Sequence, residues 1–464
     1  MRVLIGLVAV LAMAAPAAPQ DVASAEDVEF FQPHSVRVDV TRRGNQWTLE
    51  YTFDRPAQAW VFPRTSATRE GEQQWRKRLW RVDTPGVRIT RQGAFDVLVA
   101  DRGAVPEKVV ISFVPLTEKL SDDYTPALRF TDGGVALFSG QFDLFPLRSA
   151  REAAKLPSDL NGVPMAQTDL SMNFSDGRSR LVHGGDSPTY VFLGPTRAVE
   201  TREVITLLDP ALPAWLHASL AKDVPALLQR YSQQLGDTST DKPTVIVSWK
   251  GPTPGFISRG GGVLFGQIVM EYEGEGLVQE TPERRAEDLW FVAHEAAHFW
   301  LGQTVAYEFA RDSWITEGGA DLLAARVIAE LKLPFDWRGQ INQSITECAS
   351  LTRRRGVESA RDRGEHRAYY SCGLVLGLIA EGVTRKPFHE FVRKLVADHR
   401  DTGKVTRAQW LAVIQAHTRD RNLVRDIVQL LERGAADPNA QIASLLSRAG
   451  VAFELDDRNL PRIR

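Results

Sequence analysis

Cysteine is almost absent from this 464-residue chain, with only Cys348 and Cys372 present. At most one disulfide can therefore form. In an oxidising compartment its closure would contribute roughly 3 kcal/mol by the chain-entropy account, and two buried thiols are the alternative. Excess positive charge is lacking too. Lys and Arg number 56 against 58 Asp and Glu, a net charge of -2. That balance excludes a bulk basic surface, and with it nucleic acid as a partner. Long apolar runs are also missing. The segment Val3 to Ala14, behind Arg2, is too short for a bilayer anchor, and no later run approaches the length of a transmembrane helix. Internal repeats are absent, as are low-complexity tracts beyond that first segment.

The N-terminal run has the layout of a signal peptide, expected over residues 1–25. Small residues follow it, and Ala23-Ser24-Ala25 or Ala15-Pro16-Ala17 suits signal peptidase. No cysteine lies near these sites, so a lipoprotein anchor is not indicated. The expectation is an exported protein, periplasmic or secreted, without a transmembrane anchor. A buried N-terminal strand or helix is the competing reading.

The stretch with the clearest chemistry is His294-Glu295-Ala296-Ala297-His298. In a helix, residues four apart share a face, so both imidazoles can reach one ion while Glu295 projects beside them. This is the H-E-x-x-H arrangement of zinc peptidases, with two ligands and a free carboxylate as general base. Such a site needs a third protein ligand and keeps a position for water. Glu317, in Trp314-Ile315-Thr316-Glu317-Gly318, is the best candidate on what reads as the next helix. Asp321, one turn further on, can orient a ligand histidine. Two surface histidines on an ordinary helix are the bland alternative. The apolar neighbours Leu289, Trp290, Phe291, Val292, Phe299, Trp300 and Leu301 argue against it, because a buried polar triplet needs partners.

Around this centre the chain reads as α+β and multidomain. Residues 26–205 form a β-rich domain: Val36–Val40 and Trp47–Tyr51 alternate apolar and polar, and further strands are expected at Val87–Thr90, Val97–Ala100, Val109–Val114, Val135–Phe138 and Tyr190–Leu193. From 206 the pattern changes. A helix is expected from Ala211 to Gln234, a buried strand over Thr244–Trp249, and edge strands at Gly262–Phe265 and Ile268–Met270. The flexible Gly260-Gly261-Gly262 segment suits close approach by a ligand. The metal helix should begin near Pro282 and run through Trp300. Helices are then expected over Gly318–Leu331, Trp337–Leu351, Leu374–Val383, Phe388–His399, Arg407–His417 and Asn422–Leu431. The charged connection 353–367 reads as a solvated loop.

Residues His294 to Asp321 closely resemble the gluzincin metallopeptidases of the aminopeptidase-N type, which carry H-E-x-x-H, eighteen residues, then Glu. Residues 299–316 supply those eighteen, and Asp312–Gly318 resembles the family's Asp-x-Trp-Leu-Asn-Glu-Gly. Gln229–Gly236 is similar to the helix end that precedes the family's active-site strand. Tyr370-Ser371-Cys372-Gly373 resembles its Tyr-x-Lys-Gly, which implies that Tyr370 stabilises the oxyanion, with adjacent Tyr369 as the other candidate. A tyrosine that merely caps a helix start is the bland reading. The resemblance implies a thermolysin-like α/β catalytic domain over 206–385, a mostly helical C-terminal part over 386–464, and one zinc. It departs from the family at one place. Where those enzymes have Gly-Ala-Met-Glu-Asn, whose Glu holds the substrate's α-amino group, this chain has Gly260-Gly261-Gly262-Val263-Leu264. Val263 cannot pair with an ammonium group; Glu271, Glu273 and Glu275 are the nearby substitutes.

The expected function is therefore an exported zinc metallopeptidase that hydrolyses peptide or protein substrates. Zinc would sit on His294, His298 and Glu317, Glu295 would act as general base, and Tyr370 would stabilise the oxyanion. An extended substrate would add as a strand across Gly260 to Phe265, within a cleft that includes Val263. Two alternatives remain: a zinc-containing binding protein without turnover, and a zinc hydrolase of a non-peptide amide or ester.

Overall fold

The computed structural model describes residues 34–64, 67–71, 73–121, 123–156, 168–176, 180–181, 187–239, 242–332 and 335–464. The expected signal peptide lies outside them. The fold class is the expected α+β, with sheets in the N-terminal part and helices in the C-terminal part. Contacts divide the chain into two units. One takes the described residues of Met1–Glu200 with Ile205–Leu212 and Thr244–Gly276; the other takes Thr201–Val204, Pro213–Pro243 and Leu277–Arg464. No helix among the described residues is long and apolar enough to cross a membrane.

The first unit is built by period-two burial. Val36, Val38 and Val40 point inward from His34–Arg43, and Trp47, Leu49, Tyr51 and Phe53 do so from Gln46–Phe53. The two strands pair antiparallel across Gly44, whose φ of +62° suits the tight turn. Their sheet runs Thr168–Ser175, His34–Arg43, Gln46–Phe53, Lys108–Phe113, Trp80–Val82. Two four-stranded sheets follow, and then a mixed sheet. In it Ile205–Leu208, Thr244–Trp249 and Gln267–Glu273 are parallel, and Ser258–Leu264 returns antiparallel at the edge. Thr244–Trp249 is buried on both faces, so it reads as a continuous apolar run.

A charged group sits inside this β-rich unit. Arg76, on the short helix α1 (Trp75–Leu79), is fully buried. Its guanidinium lies 3.3 Å from Asp96 and 2.7 Å from the Gln141 side-chain oxygen, over the rings of Trp75 and Phe62. Burial pulls its pKa down, and the Asp96 carboxylate works against that fall.

The second unit is helical. Helix α2 (Ala214–Leu235) precedes α3 (Pro282–Ala297), which starts where the sequence signals it. Thr281 Oγ1 accepts from the Arg284 N–H at 3.2 Å, and Pro282 takes the first position. The apolar pattern continues to Trp300, but the helix stops at Ala297 and residues 298–300 form a turn. Next come α4 (Trp314–Glu330), α5 (Trp337–Leu351) and α6 (Arg367–Thr384). Helix α6 begins at Arg367 rather than Leu374, so Tyr369, Tyr370 and Cys372 are helical. Then follow α7 (Phe388–His399), α8 (Arg407–His417), α9 (Arg421–Arg433) and α10 (Pro438–Ala449). The sequence reading did not include α10. Its signals are present: Asp437 caps the start, Pro438 is the first residue, and Gly450 ends it at φ +80°. Cys348 on α5 and Cys372 on α6 are bonded, their Cα atoms 4.8 Å apart, so the two-thiol alternative is not the one adopted.

One carboxyl in the first unit links stability to pH. Asp143 Oδ1 is buried without a protein hydrogen-bond partner, although other atoms of the residue reach the surface. Burial lifts its pKa to about 7, against the pull of Arg64 and Arg76. The folded protein keeps this proton between about pH 4 and 7, where the unfolded chain has released it. Stability should therefore fall as pH rises through that window and level off above it. Asp143→Asn should match the wild type in melting temperature near pH 4 and exceed it near pH 8. Thermal melts across that range check this, and a constant offset would refute it.

Candidate metal centre

All the expected metal-centre residues belong to the second unit. His294 and His298 come from the last turn of α3 and the residue after it, and Glu317 comes from the first turn of α4. Each is buried, and their ligand atoms lie within 4.8 Å of one another. His294 Nε2 and His298 Nε2 are 3.1 Å apart, and Glu317 Oε2 lies 3.8 Å and 3.5 Å from them.

The opposite ring nitrogens fix which atoms face inward. His298 Nδ1 is 2.9 Å from the Leu301 carbonyl, so it carries the proton. His294 Nδ1 is 2.8 Å from Asp321 Oδ1, an ion-pair distance, although the pair misses ideal hydrogen-bond angles. Asp321 is fully buried. With protons on both Nδ1 atoms, the two Nε2 lone pairs and the Glu317 oxygen converge on one point. Three acceptors turned on each other in a buried site repel unless a cation or protons lie among them. Burial lowers the His298 pKa, but Glu317, Glu295 and the Leu301 carbonyl outweigh it and lift the ring to about 9. Burial would raise Glu317, and the two histidines reverse that and bring it below the usual value. The donor set fits a metal ion: two imidazoles and one carboxylate, with the far nitrogen of each imidazole already held.

Glu295 is fully buried, and neither carboxylate oxygen has a protein hydrogen-bond partner. Burial is the chief cause of its raised pKa. Tyr370 hydrogen-bonds Glu317, and its ring stacks on His294 at 5.8 Å between centroids. Burial and the surrounding carboxylates hold its hydroxyl pKa well above the usual value, so it remains a donor. Tyr369 is engaged elsewhere. Its hydroxyl accepts from the Arg361 N–H at 3.2 Å and reaches the Glu358 carbonyl at 3.4 Å.

Tyr370 meets Glu317 because α4 and α6 touch backbone to backbone. A Cβ on Gly318 would sit 2.2 Å from Gly373 Cα, and one on Gly373 would sit 2.1 Å from the Trp314 carbonyl oxygen. Only glycine fits at either position.

Gly260, Gly261, Gly262 and Val263 lie in the edge strand Ser258–Leu264 of the first unit. The Tyr124 hydroxyl donates to the Val263 carbonyl at 3.0 Å. The three nearby glutamates all have local partners. Glu271 pairs with Lys250 at 2.7 Å, Glu273 accepts from Thr253 Oγ1 at 2.7 Å, and Glu275 accepts from the Gly255 N–H at 3.2 Å. Tyr307 was not foreseen. It is buried within electrostatic reach of Glu317, and it follows an irregular stretch with no periodic signal.

Among solved structures, the chain is similar to an aminopeptidase N family protein from Idiomarina loihiensis. The TM-score is 0.59 at 10% identity, over 88% of this chain and 78% of that one. It is also similar to native leukotriene A4 hydrolase from Saccharomyces cerevisiae, with TM-score 0.51, 12% identity, and 90% and 72% coverage. No protein-family model and no curated protein matches the sequence. The likeness is one of fold.

Two substitutions test this construction. Asp321→Asn should weaken metal binding about 10- to 100-fold while leaving the fold intact, by removing the carboxylate at His294 Nδ1. Competition with a chromophoric chelator measures it, and an unchanged affinity would disprove the role. Gly373→Ala should cost about 1–3 kcal/mol in stability, since the added methyl meets backbone. Urea unfolding reads that loss.

Proposed function

We propose that this chain is an exported zinc-dependent peptidase. One observation carries the reading. Glu295 is a fully buried carboxylate without a hydrogen-bond partner, beside three converging metal donors that do not need it as a ligand. An unpaired buried carboxyl is costly, and a general base in a hydrolytic site explains it.

His294, His298 and Glu317 would hold the zinc. When bound there it supplies Lewis acidity, which acidifies a water and polarises the substrate carbonyl. The chain's own groups do the rest. Glu295 takes the water's proton and passes it to the leaving amine, a task its raised pKa suits. Tyr370 donates its hydroxyl to the negative charge that develops on the carbonyl oxygen. Asp321 and the Leu301 carbonyl keep both imidazoles turned with Nε2 toward the metal.

The substrate register differs from that of an aminopeptidase of the resembled type. Val263 offers no charge for an α-amino group, and Lys250 neutralises Glu271. Glu273 and Glu275 are tied to their own loop. These features favour internal cleavage.

Metal analysis of the purified protein, with mass spectrometry of a digested unbiased peptide library, tests the reading. One zinc per chain and internal cuts are expected. Glu295→Gln should keep the metal and lower kcat by at least about 100-fold. Zinc without cleavage of any peptide would overturn the peptidase in favour of a binding protein. Cleavage confined to amides or esters other than peptides would favour the third reading.

A further inference from the structure

The metal helix carries a large aromatic that the chemistry above does not use. Between Asp288 and Leu301, Trp290 is the single residue that is not buried. It lies one helical turn before His294, so it shares the face of α3 that holds the first ligand. Its ring centroid is 5.9 Å from the His294 imidazole. On its other side it stacks with Phe335 at 6.5 Å and 19°, and Phe335 is also only partly buried. Tyr370 stacks on the same imidazole, at 5.8 Å and 20°. The metal centre thus has an aromatic shelf beside it that reaches solvent.

A partly buried tryptophan amid buried neighbours leaves some apolar area uncovered beside His294. Covering it with an apolar group is favourable at roughly 25 cal/mol per Å², and an indole face adds stacking with aromatic rings. We propose that Trp290 and Phe335 form the subsite for a large apolar side chain flanking the scissile bond. The protein then selects aromatic or branched aliphatic residues at that position over small or acidic ones. This inference rests on the zinc-peptidase reading for its substrate, but the subsite itself can be tested without turnover.

The test uses three hydroxamates that bind the zinc-loaded full chain: acetohydroxamate, isocaprohydroxamate and 3-phenylpropanohydroxamate. The hydroxamate anchors each to the metal, so the tail alone differs. Isothermal titration should show both long-tailed ligands binding about tenfold or more tighter than acetohydroxamate. Trp290→Ala and, independently, Phe335→Ala should remove most of that gain while acetohydroxamate binds as before. Peptide digestion by the wild type should show the same preference, and the Trp290→Ala protein should lose kcat/KM selectively for large apolar substrates. Equal affinity of the three ligands for the wild type would overturn the subsite, as would an undiminished gain in both variants. A uniform loss for all three in the variants would mean that the shelf only supports His294. If the affinity gain appears but no peptide is cleaved, the subsite stands and the peptidase reading falls. If no metal is taken up and no hydroxamate binds, both fall.

Discussion

The metal centre depends on one steric constraint, the contact between α4 and α6 at Gly318 and Gly373. Helices with ordinary side chains at the crossing pack 8–10 Å apart. Here two glycines face each other and backbone meets backbone. That contact is what brings a hydroxyl on α6 to hydrogen-bonding distance of a carboxylate on α4. Gly318 follows Glu317 directly, and Gly373 lies three residues after Tyr370, so the crossing sits within a turn of both groups. The Cys348–Cys372 bridge ties α6 to α5 beside the same turn. Its closed loop contributes roughly 3 kcal/mol by the chain-entropy account, which helps to offset the cost of burying polar groups nearby.

That cost is considerable. Two imidazoles, three carboxyls and a phenol are buried around one point, and neither oxygen of Glu295 has a hydrogen-bond partner. A fold selected only for stability would fill such a volume with apolar side chains, which is often neutral or favourable. The partners of the far ring nitrogens are informative. The Leu301 carbonyl and Asp321 hold both imidazoles with Nε2 turned toward Glu317. The helix end contributes as well. Because α3 stops at Ala297, the Leu301 carbonyl turns back toward His298 Nδ1, whereas a continuous helix would have spent that carbonyl on its own ladder.

Much of this was legible in the sequence, and the rest was hidden for physical reasons. The strands with clean alternation, such as Val36–Val40 and Trp47–Tyr51, stand where the pattern puts them. The start of α3 was legible near Pro282, but its end was not, because Phe299, Trp300 and Leu301 are buried just past the helix and continue the apolar pattern. The first turns of α6 were obscured by weak helix formers, Tyr369 to Gly373, following a charged loop. The sequence left Tyr370 and Tyr369 open. They are adjacent on one helix and point about 100° apart, a distinction that needs the neighbouring helices. The burial state of Trp290 was equally invisible, since an aromatic amid apolar neighbours reads as core.

The division of the chain bears on how the chemistry relates to the fold. Every donor of the metal centre, together with Glu295, Tyr370, Asp321 and Trp290, lies in the second unit. The glycine-rich edge strand and its three occupied glutamates lie in the first. Fold similarity at 10% identity means that apolar pattern and turn chemistry, which many sequences satisfy, are enough to specify the architecture. The metal donors, Glu295, Tyr370 and the aromatic shelf all lie within the second unit, so the proposed chemistry and its apolar subsite rest on one set of packed helices.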